Sequence, residues 1–216
     1  MEKVATVALV DCGVAAQALP GQKESGDRHA IVQFDEGALV AVIDGLGHGV
    51  EAATAARLAA EVLEQNPQES VITLMRLCHK KLKPTRGVVM SLASFSANDA
   101  TVTWLGVGNV EGVLLHRDAY GTVTQEVLPL RGGVVGDQLP SLVASIVPVS
   151  RGDTLIFATD GVRLGFADEL KPDSAQATAQ TILGRFARGT DDALVLVARY
   201  TGPQKEVPSG WAARRV

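Results

Sequence analysis

The stretch Ala41–Leu63, AVIDGLGHGVEAATAARLAAEVL, passes from an apolar strand to a long alanine-rich helix through one aspartate and three glycines. Asp44 stands at the last position of the apolar run, and Gly45, Gly47 and Gly49 follow it. A tight strand-to-helix turn would account for the glycines alone. A cation held close to the main chain would also account for the carboxylate, because Gly45 has no Cβ and its carbonyl oxygen can turn toward an ion.

Outward from this stretch, the patterns predict two blocks of strands separated by helices. Residues 4–13 and the runs AIVQF and ALVAVID, which form a hairpin around DEG, make the first block. Helices are predicted over 49–65 and 67–83, and short β-branched runs from Arg86 onward predict a strand meander. The strand DTLIFATDGV, a helix over 174–187 and the strand DDALVLVARY complete the order.

This order is not the strict alternation of strand and helix that builds a parallel doubly wound sheet. It predicts an α+β fold, an αββα sandwich in which two mostly antiparallel sheets pack together with helices outside. Runs such as LVAVI and LIFA are apolar on both faces, as expected for strands between a second sheet and a helix layer. We expect one domain over residues 1–200 and a flexible tail over 201–216.

Composition excludes several classes of partner. Of the 216 residues, 46% are hydrophobic and only 4% aromatic, and the formal net charge is −4. A nucleic-acid partner is not expected, because that affinity rests on cationic and aromatic surfaces. No segment has the layout of a signal peptide or a membrane span, and the two cysteines form no redox or metal pair. We therefore expect a cytoplasmic protein without membrane contact, and no pattern requires more than a monomer.

Three aspartates share one setting. Asp44 follows LVAVI, Asp160 follows TLIFAT and Asp191 precedes ALVLVARY, so each carboxylate stands at the border of an apolar strand. If these strands lie side by side, the carboxylates converge, and their repulsion must be relieved by bound cations or by protonation. Hard ions such as Mg²⁺ or Mn²⁺ prefer oxygen ligands, whereas the lack of a Cys/His cluster argues against zinc.

The loop after Asp44 has a second predicted use. Gly47 and Gly49 allow backbone N–H groups at the helix start to face an anion, which makes a phosphate site. Taken singly, a strand followed by Asp-Gly is more often a turn, and Asp191-Asp192 could be a capping or hairpin pair. The three borders taken together favour a metal site with room for a bound phosphate.

Six motifs occur in an order that resembles one family. They are SGDRH, VIDGLGHG, TRGVVMSL, GVGNV, IFATDGV and TDDALVLVARY, and the resemblance that they carry covers roughly residues 4–200. The set resembles the metal-dependent serine/threonine phosphatases of the type-2C (PPM) superfamily and, more narrowly, their SpoIIE-type branch. The short length, DGLGHG, the RG strand start and VGNV are most similar to RsbX-like feedback phosphatases of the stressosome.

This resemblance implies a compact αββα sandwich with two Mn²⁺ or Mg²⁺ ions in a cleft at one end. Asp44 would bridge both ions, with the Gly45 carbonyl completing one of them, and Asp160 and Asp191 would hold the other. Asp27 would act on the second ion through water. Glu24 is the rival for that role.

The resemblance also implies residues that support these ligands or touch substrate. Arg28 or Lys23 would contact phosphate, and His48 is either a donor to the phosphate or leaving group or a solvent-facing histidine. The remaining candidates beside the ligands are Gly47, Asn109, Gly161 and Asp192. Residues 104–149 show no obvious insertion, so we expect a minimal enzyme without a flap, in which Asp137 is a turn residue.

The resulting hypothesis is a protein serine/threonine phosphatase that uses a metal-activated water on a partner signalling protein. By resemblance, that partner is a phosphorylated STAS-domain protein of a stress-signalling complex, which the enzyme would reset. The first alternative is a catalytically inactive module that binds a phosphoprotein, which would tolerate the loss of metal carboxylates. The second is a small-molecule phosphomonoesterase, since nothing in the residues excludes phosphorylated metabolites.

Overall fold

The computed structural model describes residues 8–22, 24–118, 120, 122–168, 170 and 173–203. Eleven strands and three helices lie in these ranges. In chain order they are β1 (Val10–Gln17), β2 (Asp27–Phe34), β3 (Gly37–Gly45), α1 (Val50–Gln65), α2 (Val71–Leu82), β4 (Val88–Ser96), β5 (Thr101–Val107), β6 (Glu111–Arg117), β7 (Val123–Val127), β8 (Leu130–Arg131), β9 (Ser145–Pro148), β10 (Thr154–Ala158), α3 (Ala175–Phe186) and β11 (Ala193–Tyr200).

The strands form two sheets. Sheet A has the order β1-β11-β10-β6-β7, and all of its pairs are antiparallel. Sheet B has the order β2-β3-β4-β5-β8, with β9 also paired to β5, and its only parallel pair among the described strands is β5–β8. Helix α3 packs on β1 and β11 of sheet A, whereas α1 and α2 pack on sheet B. The predicted αββα sandwich of two mostly antiparallel sheets is confirmed.

The central core lies between the two sheets. Trp104 and Phe95 of sheet B meet Phe157 and Leu196 of sheet A there, and each of these side chains is at most 1% exposed. Two further cores lie on the outer faces of the sheets, one between sheet B and helices α1 and α2 and the other between sheet A and helix α3. Strands such as β3 therefore contribute side chains to two cores at once, which is why LVAVI is apolar on both faces.

The alanine-rich face of α1 lets this helix approach the end of β3 very closely. Ala52, Ala56 and Ala59 are fully buried. A Cβ at Gly45 would lie 2.2 Å from the carbonyl oxygen of Ala52, so a side chain at that position would push the helix away. Small residues on both partners thus set the position of the strand end that carries Asp44.

Two element boundaries differ from those predicted. The first strand spans Val10–Gln17 rather than 4–13, because its partner β11 pairs with it from Val10↔Tyr200 to Gln17↔Ala193; residues 4–7 lie outside the described ranges. Helix α2 begins at Val71 rather than Pro67, since the Ser70 hydroxyl accepts a hydrogen bond from Thr73 N at 3.1 Å and caps the helix. Pro67 lies in the preceding turn.

Residues 132–144 connect β8 to β9 without regular strands, and they do not project as a flap. Val135 pairs with Val88 as an isolated bridge, and Leu139 and Leu142 pack against the core under α1 and α2. Asp137 N donates to the Val134 carbonyl at 3.3 Å, which places Asp137 in a turn. Within the described ranges this matches the expected minimal fold.

The two chain ends of the described structure meet beside β1. Thr201 N donates to the Leu9 carbonyl at 2.9 Å, so the ordered pairing continues one residue past the predicted boundary at 200. Residues 204–216 of the predicted flexible tail lie outside the described ranges. None of the helices described is long and apolar enough to cross a bilayer.

Gly13→Ala is expected to lower the free energy of unfolding by about 2 kcal/mol or more, because β1 and α3 are in direct backbone contact. A Cβ at Gly13 would lie 2.2 Å from Gln176 N of α3, closer than any real contact. The matched control is Gly184→Ala in α3, where an added Cβ would have no atom of another element within 4 Å. The control should gain up to about 1 kcal/mol from helix propensity, and urea unfolding measures both. Equal effects at the two positions would contradict this packing.

Candidate metal centre

The carboxylates predicted as metal ligands gather at one end of the sandwich. Asp44 lies at the end of β3 of sheet B, while Asp160 follows β10 and Asp191 precedes β11 in sheet A. Because β10 and β11 are antiparallel neighbours, the end of one strand lies beside the start of the other. Asp44, Asp160 and Asp191 line one open cleft of about 360 Å³.

Asp27 reaches the same end from β2. It is the register partner of Asp44 across the β2–β3 hairpin, and it is 4% exposed. Its Oδ2 accepts a hydrogen bond of 2.7 Å from the Thr159 hydroxyl, and that hydroxyl accepts one of 2.9 Å from Leu194 N. Asp27 is therefore fixed between the two sheets, whereas Glu24 is exposed in the preceding turn.

The electrostatics of this end disfavour ionised carboxylates when no cation is bound. Burial raises the pKa of Asp44 to about 8, and the charges of Asp27, Asp160 and Asp191 contribute to the increase. Burial also raises the pKa of Asp27 to about 7; the hydrogen bond from Thr159 lowers it in part, and nearby carboxylates add to the increase. Protonation is thus one way to relieve the cluster, and cation binding is the other.

The donor set suits hard cations, although it is not a closed cage. The lining of the cleft includes the carboxylates of Asp44, Asp160 and Asp191, the amide of Asn109 and one imidazole, that of His48, and no cysteine. Among the described residues, no group of three or more His, Cys, Asp or Glu side chains stands close enough together to hold an ion directly. Mg²⁺-like ions keep several waters and take only one or two carboxylates each, so an open arrangement of this kind fits them.

The loop that follows Asp44 is built on glycines in left-handed conformations. Gly47 has φ of +91° and Gly49 has φ of +76°, values that side-chain-bearing residues rarely adopt. Gly49 is the N-cap of α1 and offers no side-chain cap, so the first N–H groups of the helix face the loop. The predicted roles of the Gly45 carbonyl and of Gly47 toward ion and phosphate stay predictions, since packing against Ala52 alone explains Gly45.

Several residues hold the carboxylates in place. Asn109 Nδ2 donates to Asp160 Oδ2 at 2.8 Å, which orients that carboxylate. Asp192 is buried and accepts hydrogen bonds from Leu19 N at 2.7 Å and Gly26 N at 2.6 Å, so it fastens the segment before β2. A Cβ at Gly161 would lie 1.9 Å from the Asp192 carbonyl oxygen, so glycine is required there by close packing.

The three residues predicted to contact phosphate are Arg28, Lys23 and His48. Arg28 is exposed, and it follows Asp27 in β2, so its side chain leaves the opposite face of the strand. Lys23 lies outside the described ranges. His48 is exposed in the loop and lines the cleft, with its Nδ1 3.5 Å from Gln22 Nε2. The roles of all three stay predictions.

Arg86 is a cation of this region to which the sequence reasoning assigned no role. A Cβ at Gly47 would lie 3.0 Å from Arg86 Nη1, so the guanidinium stands over the glycine loop. Its Nε is 2.5 Å from Glu51 of α1, and both side chains are more than half exposed. The motif TRGVVMSL contains this arginine, and its RG strand start supports the family resemblance without indicating a role for the side chain.

Comparisons with known proteins agree with this geometry. A family described as Stage II sporulation protein E (SpoIIE) matches residues 35–201. Phosphoserine phosphatase RsbX of Bacillus subtilis (strain 168) is 25% identical over 144 residues, which are 67% of this chain and 70% of RsbX.

Two solved structures share the fold over most of the chain. One, from "The bacterial stressosome: a modular system that has been adapted to control secondary messenger signaling", is 26% identical, covers 88% of this chain and 99% of its own, and has a TM-score of 0.79. The other is RsbX in complex with magnesium, which is 21% identical, covers 89% of this chain and 96% of its own, and has a TM-score of 0.78.

The resemblance inferred from the six motifs is confirmed by these matches, and so is the expectation of an enzyme. The family match covers well over half of the 216 residues and includes the strands that carry Asp44, Asp160 and Asp191. The chain belongs to the SpoIIE family and is a protein serine/threonine phosphatase of the PP2C type.

Proposed function

We propose that this chain uses two divalent cations, Mg²⁺ or Mn²⁺, to hydrolyse phosphoserine or phosphothreonine on a partner signalling protein in the cytoplasm. The partner would be a STAS-domain component of a stressosome-type complex, and the reaction would reset a stress-response switch. The observation that carries the metal-dependent chemistry is the convergence of four carboxylates from four separate strands at one end of the sandwich. No described cation forms an ion pair with any of them.

The ligands would be Asp44, Asp160 and Asp191, with the Gly45 carbonyl and with Asp27 acting through water. When bound, paired cations lower the pKa of a shared water and neutralise charge on the phosphate oxygens. The chain's own residues supply the positioning: Thr159 fixes Asp27, and Asn109 fixes Asp160. Held in this way, the carboxylates need little rearrangement when an ion binds.

The choice of substrate rests on the relatives. RsbX is a phosphoserine phosphatase, and a stressosome structure shares the fold over 88% of this chain. The cleft is open to solvent at His48, Asn109 and Asp191, all of which are exposed, so a phosphorylated side chain on a protein surface can enter it. A closed pocket of the kind that surrounds a small metabolite is not what these residues form.

The test compares phosphate release from a phosphoserine protein or peptide with release from p-nitrophenyl phosphate, each with Mn²⁺, with Mg²⁺ and with EDTA. We expect turnover that needs the cation and favours the protein substrate. Preference for small phosphomonoesters would identify a small-molecule phosphatase instead. Phosphoprotein binding without turnover would identify an inactive binding module.

Arg86 is proposed to orient the substrate phosphate, because it is the described cation that stands over the glycine loop. Arg86→Ala should lower kcat/KM for a phosphopeptide roughly 10- to 100-fold, the usual effect of losing a charged hydrogen bond. Arg86→Lys should fall in between, since lysine keeps the charge but loses the planar fork. The stabilisation of the protein by Mn²⁺, read as a thermal shift, should remain.

The matched control is Arg57→Ala. Arg57 also forms an exposed ion pair with a glutamate of α1, Glu61 at 2.8 Å, but it lies two turns into the helix, away from the loop. Its kcat/KM should stay within about twofold of wild type. A loss of Mn²⁺ binding in Arg86→Ala, or equal losses in the two variants, would contradict the assignment.

A further inference from the structure

Three arginines form a cluster beside the segments that carry Asp160 and Asp191, next to sheet A. Arg163 follows Asp160 by three residues, Arg185 lies in the last turn of α3, and Arg188 lies in the loop that leads to Asp191. We call these three residues the arginine rim. Two of the candidate metal ligands lie in the same short segments, so the rim and the cleft are parts of one surface.

The rim is fixed by contacts with its own backbone and with one aromatic ring. Arg163 and Arg185 both lie over the ring of Phe186, at 5.8 and 5.5 Å from its centroid, and Arg163 also donates to the Phe186 carbonyl at 3.4 Å. Arg188 Nε donates to the Asp160 carbonyl at 2.8 Å, and its backbone N–H donates to the Gly161 carbonyl at 2.8 Å. The guanidinium groups are thereby held in place at the cleft before any partner arrives.

The charges of Arg163 and Arg188 are not balanced by carboxylates of the described residues. Within those ranges neither arginine forms an ion pair, and both are exposed. Asp168, in the loop after Arg163, lies beside Gln125 of β7 at 3.4 Å. In a chain with a formal net charge of −4, this is a cationic surface built next to an acidic cleft.

We propose that the arginine rim docks an acidic segment of the protein substrate, beside the phosphorylated residue that enters the cleft. This inference rests on the proposed function. Arginine presents a planar fork that matches a carboxylate. Among the described residues, the Arg188 side chain donates only through its Nε, which leaves its outer nitrogens for a ligand. Complementary charge at the edge of a site mainly increases the association rate and the discrimination between partners.

The experiment compares phosphoserine peptides of equal length in excess Mn²⁺. Three glutamates stand on the N-terminal side of the phosphoserine in one peptide, on the C-terminal side in a second, and are replaced by glutamines in the third. The wild-type protein should prefer at least one acidic peptide roughly three- to tenfold in kcat/KM, the range expected for two exposed charge pairs, those of Arg163 and Arg188. The preference should vanish in 1 M salt, where the screening length is about 3 Å.

The variants Arg163→Gln and Arg188→Gln should each lower the ratio part of the way to one, and the double variant should lower it to about one. A ratio measured on a single protein is unaffected by a partial loss of folded enzyme. The control Arg151→Gln removes an exposed arginine from the turn at the opposite end of β10 and should keep the full ratio.

Equal rates for acidic and neutral peptides in wild type, or an unchanged ratio in the rim variants, would overturn the inference. Failure of the wild type to release phosphate from any of the three would instead contradict the proposed function. In that case the same peptides and variants, compared by fluorescence anisotropy, decide the inference: preferential binding of an acidic peptide that depends on the rim supports it, and equal binding refutes it.

Discussion

Asp44→Asn is expected to lower kcat toward phosphoserine substrates about 10³-fold or more, in Mn²⁺ and in Mg²⁺ alike. Asp44 is the carboxylate that faces Asp27 across the hairpin and also lines the cleft with Asp160 and Asp191. Asparagine keeps the shape but removes the charge that would hold both cations, and a single neutral oxygen cannot replace it. Phosphate release, followed continuously over a range of metal concentrations, measures the loss.

The same variant should not be less stable than wild type when metal is removed. An asparagine at this position has no charge to bury, whereas the pKa of Asp44 is raised to about 8 by burial and by its acidic neighbours. In EDTA at pH 8, the midpoint of thermal unfolding of the variant should therefore equal or exceed that of wild type. Asp137→Asn, a change of the same type in an exposed turn, should retain activity. An inactive variant that is also markedly destabilised in EDTA would point to a structural role for Asp44.

Much of this site could be predicted from the sequence because strand ends are visible as ends of apolar runs. Asp44, Asp160 and Asp191 each border a run that is too apolar to be anything but a buried strand. Convergence also requires these strands to be neighbours, and that pairing is supplied by the structure, in which β10 and β11 are adjacent. Each of Asp44 and Asp160 is followed by a glycine, which can be read directly from the sequence. The structure gives the reason for these glycines, since a Cβ at Gly45 or Gly161 would lie within 2.2 Å of backbone atoms.

Contacts between residues distant along the chain could not be predicted in this way. Thr159 donates to Asp27 across a separation of 132 residues, and nothing in either local pattern indicates that pair. Arg86 reaches the glycine loop only because α1 and α2 return the chain to sheet B beside β3. The start of α2 was missed for a local reason: Pro67 is favourable at a first helical position, but Ser70 provides a hydroxyl cap that proline cannot provide.

The metal-free protein is expected to lose stability as the pH rises from about 4 to about 8. Asp27 and Asp44 have ordinary pKa values of 3.8 when unfolded, and in the fold burial raises these to about 7 and about 8. Between these limits the native state binds more protons than the unfolded chain, so the free energy of unfolding decreases with pH. Below about pH 4 both carboxyl groups are protonated in the native and in the unfolded state. Above about pH 8 both are ionised in the native state, and the full free-energy cost of burying their charges is present. The total should be several kcal/mol, measured by urea unfolding in EDTA.

Addition of Mn²⁺ or Mg²⁺ should reverse this slope, because the cations compete with protons for the same carboxylates and bind only their ionised forms. With the cation in excess, stability at pH 8 should exceed that at about pH 5.5 and should increase with cation concentration, as linkage requires. Asp44→Asn should flatten the pH dependence of the free energy of unfolding in EDTA and should weaken the stabilisation by added metal. Asp137→Asn should change neither quantity. A metal-free stability that is level or increases over this range would mean that Asp27 and Asp44 are not buried beside other carboxylates in the way the structure shows. The site would then have no electrostatic reason to bind a pair of cations, whatever the relatives bind.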